Sequence, residues 1–384
     1  MNGFRFSTAT SAVVAVLVGF GGTLAIIVAA SQAVGATTAQ TASAVSGLCL
    51  AMAGTALVLS IRHRMPIITA WSTPGAALIA ANPGIATVEQ AVGAFLMVGV
   101  LIVFTAAVKP ISKLIEAIPA SIAAGMLAGV LIGFVIEVFR LVGVDLWFVV
   151  PLVLLFFVVR LASPAWAVIA VLIAGVALAF ATDRTGDIPV GLEFTTFSFI
   201  VPSFDLSVLL GLGIPLYLVT MASQNLPGFA VLRANGYEPP TRSILTVTGL
   251  ASILTAPLGA LTTNLAAITA AICMGPDTHP DKDKRWPTGI FYCLTYLPLA
   301  VFGASLVGVF AAMPTVLIAT IAGLALIGPL TGAMTAALKD EADRPAAVVT
   351  LAVTASGLSI GGIGSAFWGL LAGLLVWGLD RIKR

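Results

Sequence analysis

Polar side chains able to engage a ligand are sparse in this chain and gather in three stretches: Ser72-Thr73-Pro74-Gly75, Ser223-Gln224-Asn225 and Thr262-Thr263-Asn264. Ser72 or Thr73 is suited to cap a helix with its hydroxyl, and Pro74 to occupy the first helical turn. A helix start presents unpaired N–H groups and about half a positive charge, which together attract an anion, most simply a carboxylate. Ser223, Gln224, Asn225 and Asn264 add side-chain donors and acceptors that either line such a site or hydrogen-bond between helices. The combinations that carry catalysis are missing: no nucleophile stands beside a base and no glycine-rich phosphate loop occurs. Cys49, Cys273, Cys293, His63 and His279 lack metal-ligand spacing. The residues predict ligand binding without enzymatic chemistry, cofactor, metal or nucleic acid.

The elements that position these residues are set by composition. Of 384 residues, 59% are hydrophobic and 9% charged, with mean hydropathy +1.11. Soluble domains carry about 25% charged residues, so the chain is an all-α polytopic membrane protein. A span needs about 20 apolar residues. Fourteen candidate segments are read, at 12–34, 37–61, 66–82, 88–108, 118–140, 145–160, 164–182, 206–231, 242–256, 257–275, 287–310, 314–337, 345–360 and 362–381, with 145–182 and 345–381 each open to a different division. Several are short for a full crossing, notably 66–82, 145–160, 242–256 and 345–360. The first run ends near a signal-peptidase-like "AASQA", but a second apolar run follows at once, so it is expected to stay as a span. With the N-terminus cytoplasmic, 16 of the 18 Lys and Arg residues fall inside, leaving Arg140 and Arg184 outside. Both termini are therefore expected on the cytoplasmic side. The loop 275–287, with charges of both signs, is expected to be solvated.

An internal repeat runs through this pattern. "WSTPGAALIAA" (71–81) aligns with "LTTNLAAITAA" (261–271), and "AASQA" (29–33) with "MASQN" (221–225), at offsets of 190 and 192. Seven spans separate each pair, so the second copy runs through the membrane in the opposite direction, the signature of a secondary transporter. Ile67, Ile68 and Thr69 favour extended backbone, while the capping residues follow directly. Each copy thus predicts a broken span, half strand and half helix, with Thr262 or Thr263 capping the second helix after a break at Pro257–Gly259. Irregular backbone at this depth lines a cavity or is buried in protein; a Ser/Thr-Pro kink that serves packing is the alternative. Gly22, in the glycine-rich Gly19–Gly22 stretch, permits close approach of either another helix or a substrate. Phe20, Trp71 and Tyr217 could face a planar ring or the protein core. Glu137, with Arg140 at i+3, is either a proton carrier or half of an interfacial ion pair.

Five motifs, "ITAWSTPGAAL", "VTMASQNLPG", "NLAAITAAIC", "HPDKDKRW" and "VTASGLSIGGIGSAFWGLLAG", together resemble the benzoate/proton symporter family, often called BenE. The resemblance implies the fold of nucleobase transporters and related anion exchangers: fourteen segments in two inverted repeats of seven. A core domain would comprise residues 1–110 and 204–312, and a gate domain residues 111–203 and 313–384. It also implies an aromatic carboxylate such as benzoate, imported with a proton by alternating access through a bacterial inner membrane, in a protein able to form a homodimer. Ser72, Thr73, Gln224, Asn225, Thr263 and Asn264 are then the expected substrate contacts, with Phe20, Gly22 and Tyr217 around them. Related nucleobase transporters carry an acidic residue in the eighth span where this chain has Ser223, Gln224 and Asn225; a carboxylate there would repel a carboxylate substrate. A nucleobase or inorganic anion carrier, or an anion channel, is the alternative.

Overall fold

The computed structural model describes residues 6–107, 119–162, 164–186, 191–360 and 365–383. Arg5, Lys109, Lys113, Asp187 and Arg384, and residues 361–364 of the last motif, lie outside the described residues. The chain opens with α1 (Phe6–Ala33) and α2 (Thr38–His63). It continues through β1 (Thr69–Trp71), α3 (Thr73–Ala80), α4 (Val88–Ala107), α5 (Ala120–Val144), α6 (Leu146–Ala162) and α7 (Pro164–Ala181). The second half runs through α8 (Leu206–Arg233), α9 (Thr241–Thr255), β2 (Thr263–Leu265) and α10 (Ile268–Met274). It ends with α11 (Thr288–Val301), α12 (Gly303–Ala311), α13 (Thr315–Ala337), α14 (Arg344–Ala355) and α15 (Ser365–Lys383).

Among the described residues, seven helices are long and apolar enough to cross a bilayer: α1, α2, α4, α5, α8, α13 and α15. The other expected spans are shorter or broken. α11 and α12 meet at a 61° bend, and α6, α7 and α14 are apolar but short. Local chemistry explains several boundaries. Thr37 and Gln40 form a reciprocal capping box at the start of α2, with N···O distances of 2.9 and 3.2 Å. The Pro257 break is a single 3-10 turn, Ala256–Leu258, closed by Gly259 at φ 83°, a left-handed conformation that glycine adopts without strain.

α1 and α8 are not uniformly α-helical. Each contains a π-turn, Leu17–Gly21 in α1 and Leu209–Gly213 in α8. Both turns read Leu-x-Gly-x-Gly and begin 192 residues apart. α8 holds a second π-turn at Met221–Asn225, over the polar motif; such turns recur at functional sites. α5 packs against α13 and α14, and α14 against α15, while α11 lies on α2 and α9 on α4.

At the centre, β1 and β2 pair antiparallel in the register Thr69↔Leu265, Ala70↔Asn264 and Trp71↔Thr263. The ladder continues through Ser72 N to Thr262 O (3.1 Å) and Ala266 N to Ile68 O (3.0 Å). Two extended segments can lie this deep because each satisfies the other's backbone. The expected strand-then-helix order is present in both segments. The second helix start needs correction: it falls at Ile268, after an Ala267 N-cap that has no capping side chain. Thr263 belongs to β2, and Thr262 is drawn into the ladder, because pairing with β1 keeps the chain extended through Leu265.

The loop 275–287 also departs from expectation. Its lysines are exposed, but Thr278, His279 and Arg285 are buried. Arg285 donates from Nε to His279 O at 2.7 Å and from a terminal nitrogen to Met274 O, the last carbonyl of α10. A cation at a helix C-terminus is favourable on both counts. Ser7 and Thr8 of α1 donate to Thr278 O at 3.0 and 3.3 Å, so the loop ties α1 to α10. On its exposed side, Lys284 holds the Asp281 carboxyl below the usual range, aided by the Asp283 backbone N–H.

Candidate substrate cavity

The starts of α3 and α10 open onto one cavity of about 900 Å³, lined by Thr73 and Pro74 from one side and Ala267 and Ile268 from the other. Ser223 and Gln224 of α8 complete the polar part of the wall. The facing wall is apolar, with Leu127 of α5, Pro329 and Ala333 of α13 and Leu370 of α15.

Ser72 is fully buried and caps α3: its Oγ accepts from Gly75 N at 3.1 Å. It also shares a hydrogen bond with Thr220 Oγ1 of α8 at 3.0 Å. Thr220 continues to Thr262 Oγ1 at 3.4 Å, to which Asn264 Nδ2 donates at 3.3 Å. This buried chain of hydroxyls ties the cap of α3 to α8 and β2. The resulting helix start is fixed in place before a ligand arrives, the condition under which N–H groups stabilise an anion with little reorganisation.

The expected site residues therefore divide. Thr73 and Gln224 line the cavity, whereas Ser72 supports it from behind. Asn225 is fully buried, and its Oδ1 accepts from Leu265 N at 3.1 Å, so it holds β2. Thr263 and Asn264 are also fully buried in β2 and outside the lining, leaving Thr263 Oγ1 and Asn264 Oδ1 without a partner. Phe20 packs on Trp71 with ring centroids 5.6 Å apart; Trp71 lines the cavity and donates from Nε1 to Thr23 Oγ1 at 2.8 Å. Gly22 faces Val168 of α7, while its neighbour Gly19 reaches the cavity. Tyr217 hydrogen-bonds Thr105 and so joins α8 to α4. Glu137 lies outside the lining, paired with Arg140 at 3.6 Å, with its side chain 47% exposed.

Two lining residues carry no mark in the sequence. Tyr292 and Tyr296 of α11 pack with centroids 4.9 Å apart and ring planes tilted by 59°, and Tyr292 Oη donates to Thr69 O at 2.8 Å. Two tyrosines one turn apart in an apolar helix read as core; pairing of α11 with β1 makes them cavity wall.

Among the described residues, apolar helices surround two antiparallel strand-helix segments and a large central cavity, the architecture of a polytopic membrane protein. The sequence pattern of the benzoate membrane transport protein family matches residues 3–379, and the chain belongs to that family. It is 40% identical to Inner membrane protein YdcO of Escherichia coli (strain K12), over 94% of this chain and 92% of that one. It is 34% identical to the Benzoate membrane transport protein of Acinetobacter baylyi, over 97% of this chain and 95% of that one. The fold resembles the transmembrane domain of a cyanobacterium bicarbonate transporter, BicA, with TM-score 0.56, 16% identity and coverage of 99% and 98%. It also resembles SLC26A9, with TM-score 0.62, 12% identity and coverage of 97% of this chain and 65% of that longer one.

Proposed function

We propose that this protein is a secondary transporter that carries an aromatic carboxylate, benzoate, together with a proton by alternating access across a bacterial inner membrane. One observation carries the reading: the capped start of α3 and the start of α10 share a cavity whose remaining walls are largely apolar. The carboxylate meets the helix N–H groups and Thr73, and the ring meets the apolar wall. The kinship with a Benzoate membrane transport protein and an inner membrane protein supports the cargo and the location. An uncompensated nucleobase edge would leave hydrogen-bonding groups unpaired against such walls, which disfavours that cargo.

The fourteen segments form two inverted repeats in this reading. Antiparallel β1 and β2, and the matching π-turns of α1 and α8, support it. Residues 1–110 and 204–312 are the core and 111–203 and 313–384 the gate, in keeping with the packing of α5 on α13 and α14. Both termini are cytoplasmic, from the charge distribution.

Proteoliposomes under an imposed inward proton gradient test the proposal. Labelled benzoate should accumulate above its external concentration, more so at lower external pH, and excess uracil should not compete. Equilibration without accumulation would indicate a channel, and effective uracil competition a different cargo. Glu137 is half exposed, paired with Arg140 and outside the cavity lining, so Glu137→Gln should keep accumulation within about twofold of the parent. Thr73→Val should raise the half-saturating benzoate concentration about three- to tenfold by removing a cavity hydroxyl. Thr263→Val, at a buried position in β2, should change it less than about twofold.

A further inference from the structure

Two charged side chains stand among the described residues that line the cavity, Asp343 and Arg381. Both belong to helix ends, Arg381 to the last turn of α15 and Asp343 to the residue before α14, so they mark the cavity's mouth. Asp343 is engaged: Ser121 Oγ donates to its Oδ2 at 2.9 Å. Arg381 is not, for it forms no salt bridge among the described residues. Its guanidinium carbon lies 4.1 Å from the ring centroid of Trp377, itself a lining residue. A guanidinium seated over an indole ring is attracted to the ring face and keeps N–H groups for a further partner. A carboxylate fits those groups in a bidentate pair.

We propose that Arg381, held against Trp377, is a second docking point for the substrate carboxylate, at the mouth of the cavity and separate from the helix starts. The inference rests on the carboxylate reading above. The aromatic ring of the same substrate would face the apolar lining that leads inward from Trp377. Asp343 repels a carboxylate, so the Arg381 side becomes the favoured passage. Because Arg381 is exposed, the attraction is screened by salt.

Right-side-out and inverted membrane vesicles containing the full chain test this, with the half-saturating concentration of labelled benzoate measured at each face. Arg381→Gln should raise it about fivefold at one face and leave the other unmoved, and Arg381→Lys, which keeps charge without the fork, should recover about half of the loss. Added salt should weaken the parent at that face and the glutamine variant much less. Equal half-saturation of parent and Arg381→Gln at both faces overturns the docking point while leaving the transport reading intact. Should Arg381→Gln fail to reach the membrane, the lysine variant and the salt dependence of the parent decide; absence of both shifts refutes the proposal. If the parent carries no benzoate at all, the transport reading falls, and equilibrium binding of benzoate to detergent-purified parent and Arg381→Lys then decides the docking point alone.

Discussion

Asn225→Leu is expected to lower benzoate uptake about tenfold or more at equal membrane abundance. Asn225 sits at the end of the π-turn in α8 and is fully buried. Its Oδ1 receives the N–H of Leu265, the last residue of β2, at 3.1 Å. Leucine conserves the volume but leaves that N–H without an acceptor, and an unpaired buried donor costs about 1–3 kcal/mol. The chain can relieve this by shifting β2, and Ala266, Ala267 and Ile268, which follow directly, form the cavity wall at the start of α10. A shift of this kind moves one of the two helix starts away from the ligand, so the half-saturating concentration should rise along with the fall in rate. Asn225→Gln, which keeps an amide but places it one methylene further out, should fall between the two. Uptake of labelled benzoate in proteoliposomes, normalised to protein content, checks the series; parental uptake by Asn225→Leu would remove Asn225 from the support of the site.

Gly75→Ala should have a comparable effect from the other helix start. A Cβ at this position would lie 2.5 Å from Leu216 Cδ1, 2.8 Å from Ser72 Oγ and 3.1 Å from Ser72 Cβ. The leucine terminus can rotate away. Ser72 cannot move without giving up both its cap bond to Gly75 N and its bond to Thr220. Overpacking of this sort costs about 1–3 kcal/mol, and loss of the cap adds about 1 kcal/mol. Uptake should drop about tenfold, and the midpoint of thermal unfolding in detergent should fall by several degrees. Ser72→Ala isolates the cap from the crowding: it should lose stability without the steric term, so its uptake should exceed that of Gly75→Ala. The opposite order would mean that crowding at the first turn is not what limits the site.

What the sequence determined by itself is what short-range chemistry controls. Its composition alone requires a membrane protein, since so few charges cannot clothe a soluble surface of this size. Ser72, Pro74 and the β-branched run before them specify a strand followed by a capped helix, because capping and backbone preference act within four residues. The Pro257–Gly259 break is legible for the same reason. Tertiary structure decided everything that depends on a partner from elsewhere in the chain. Pairing with β1 made Thr263 and Asn264 strand residues and moved the second helix start to Ile268. Consecutive positions of a helical turn point in different directions, in the wider π-turn as in an α-turn, so Ser223 and Gln224 reached the cavity while Asn225 turned to β2. Which of three adjacent polar residues meets a ligand is set by the neighbours around the helix, and those are supplied by segments 40 or more residues away, as Leu265 is from Asn225. Tyr292, Tyr296 and Arg381 became part of the cavity only when α11 and α15 packed around it.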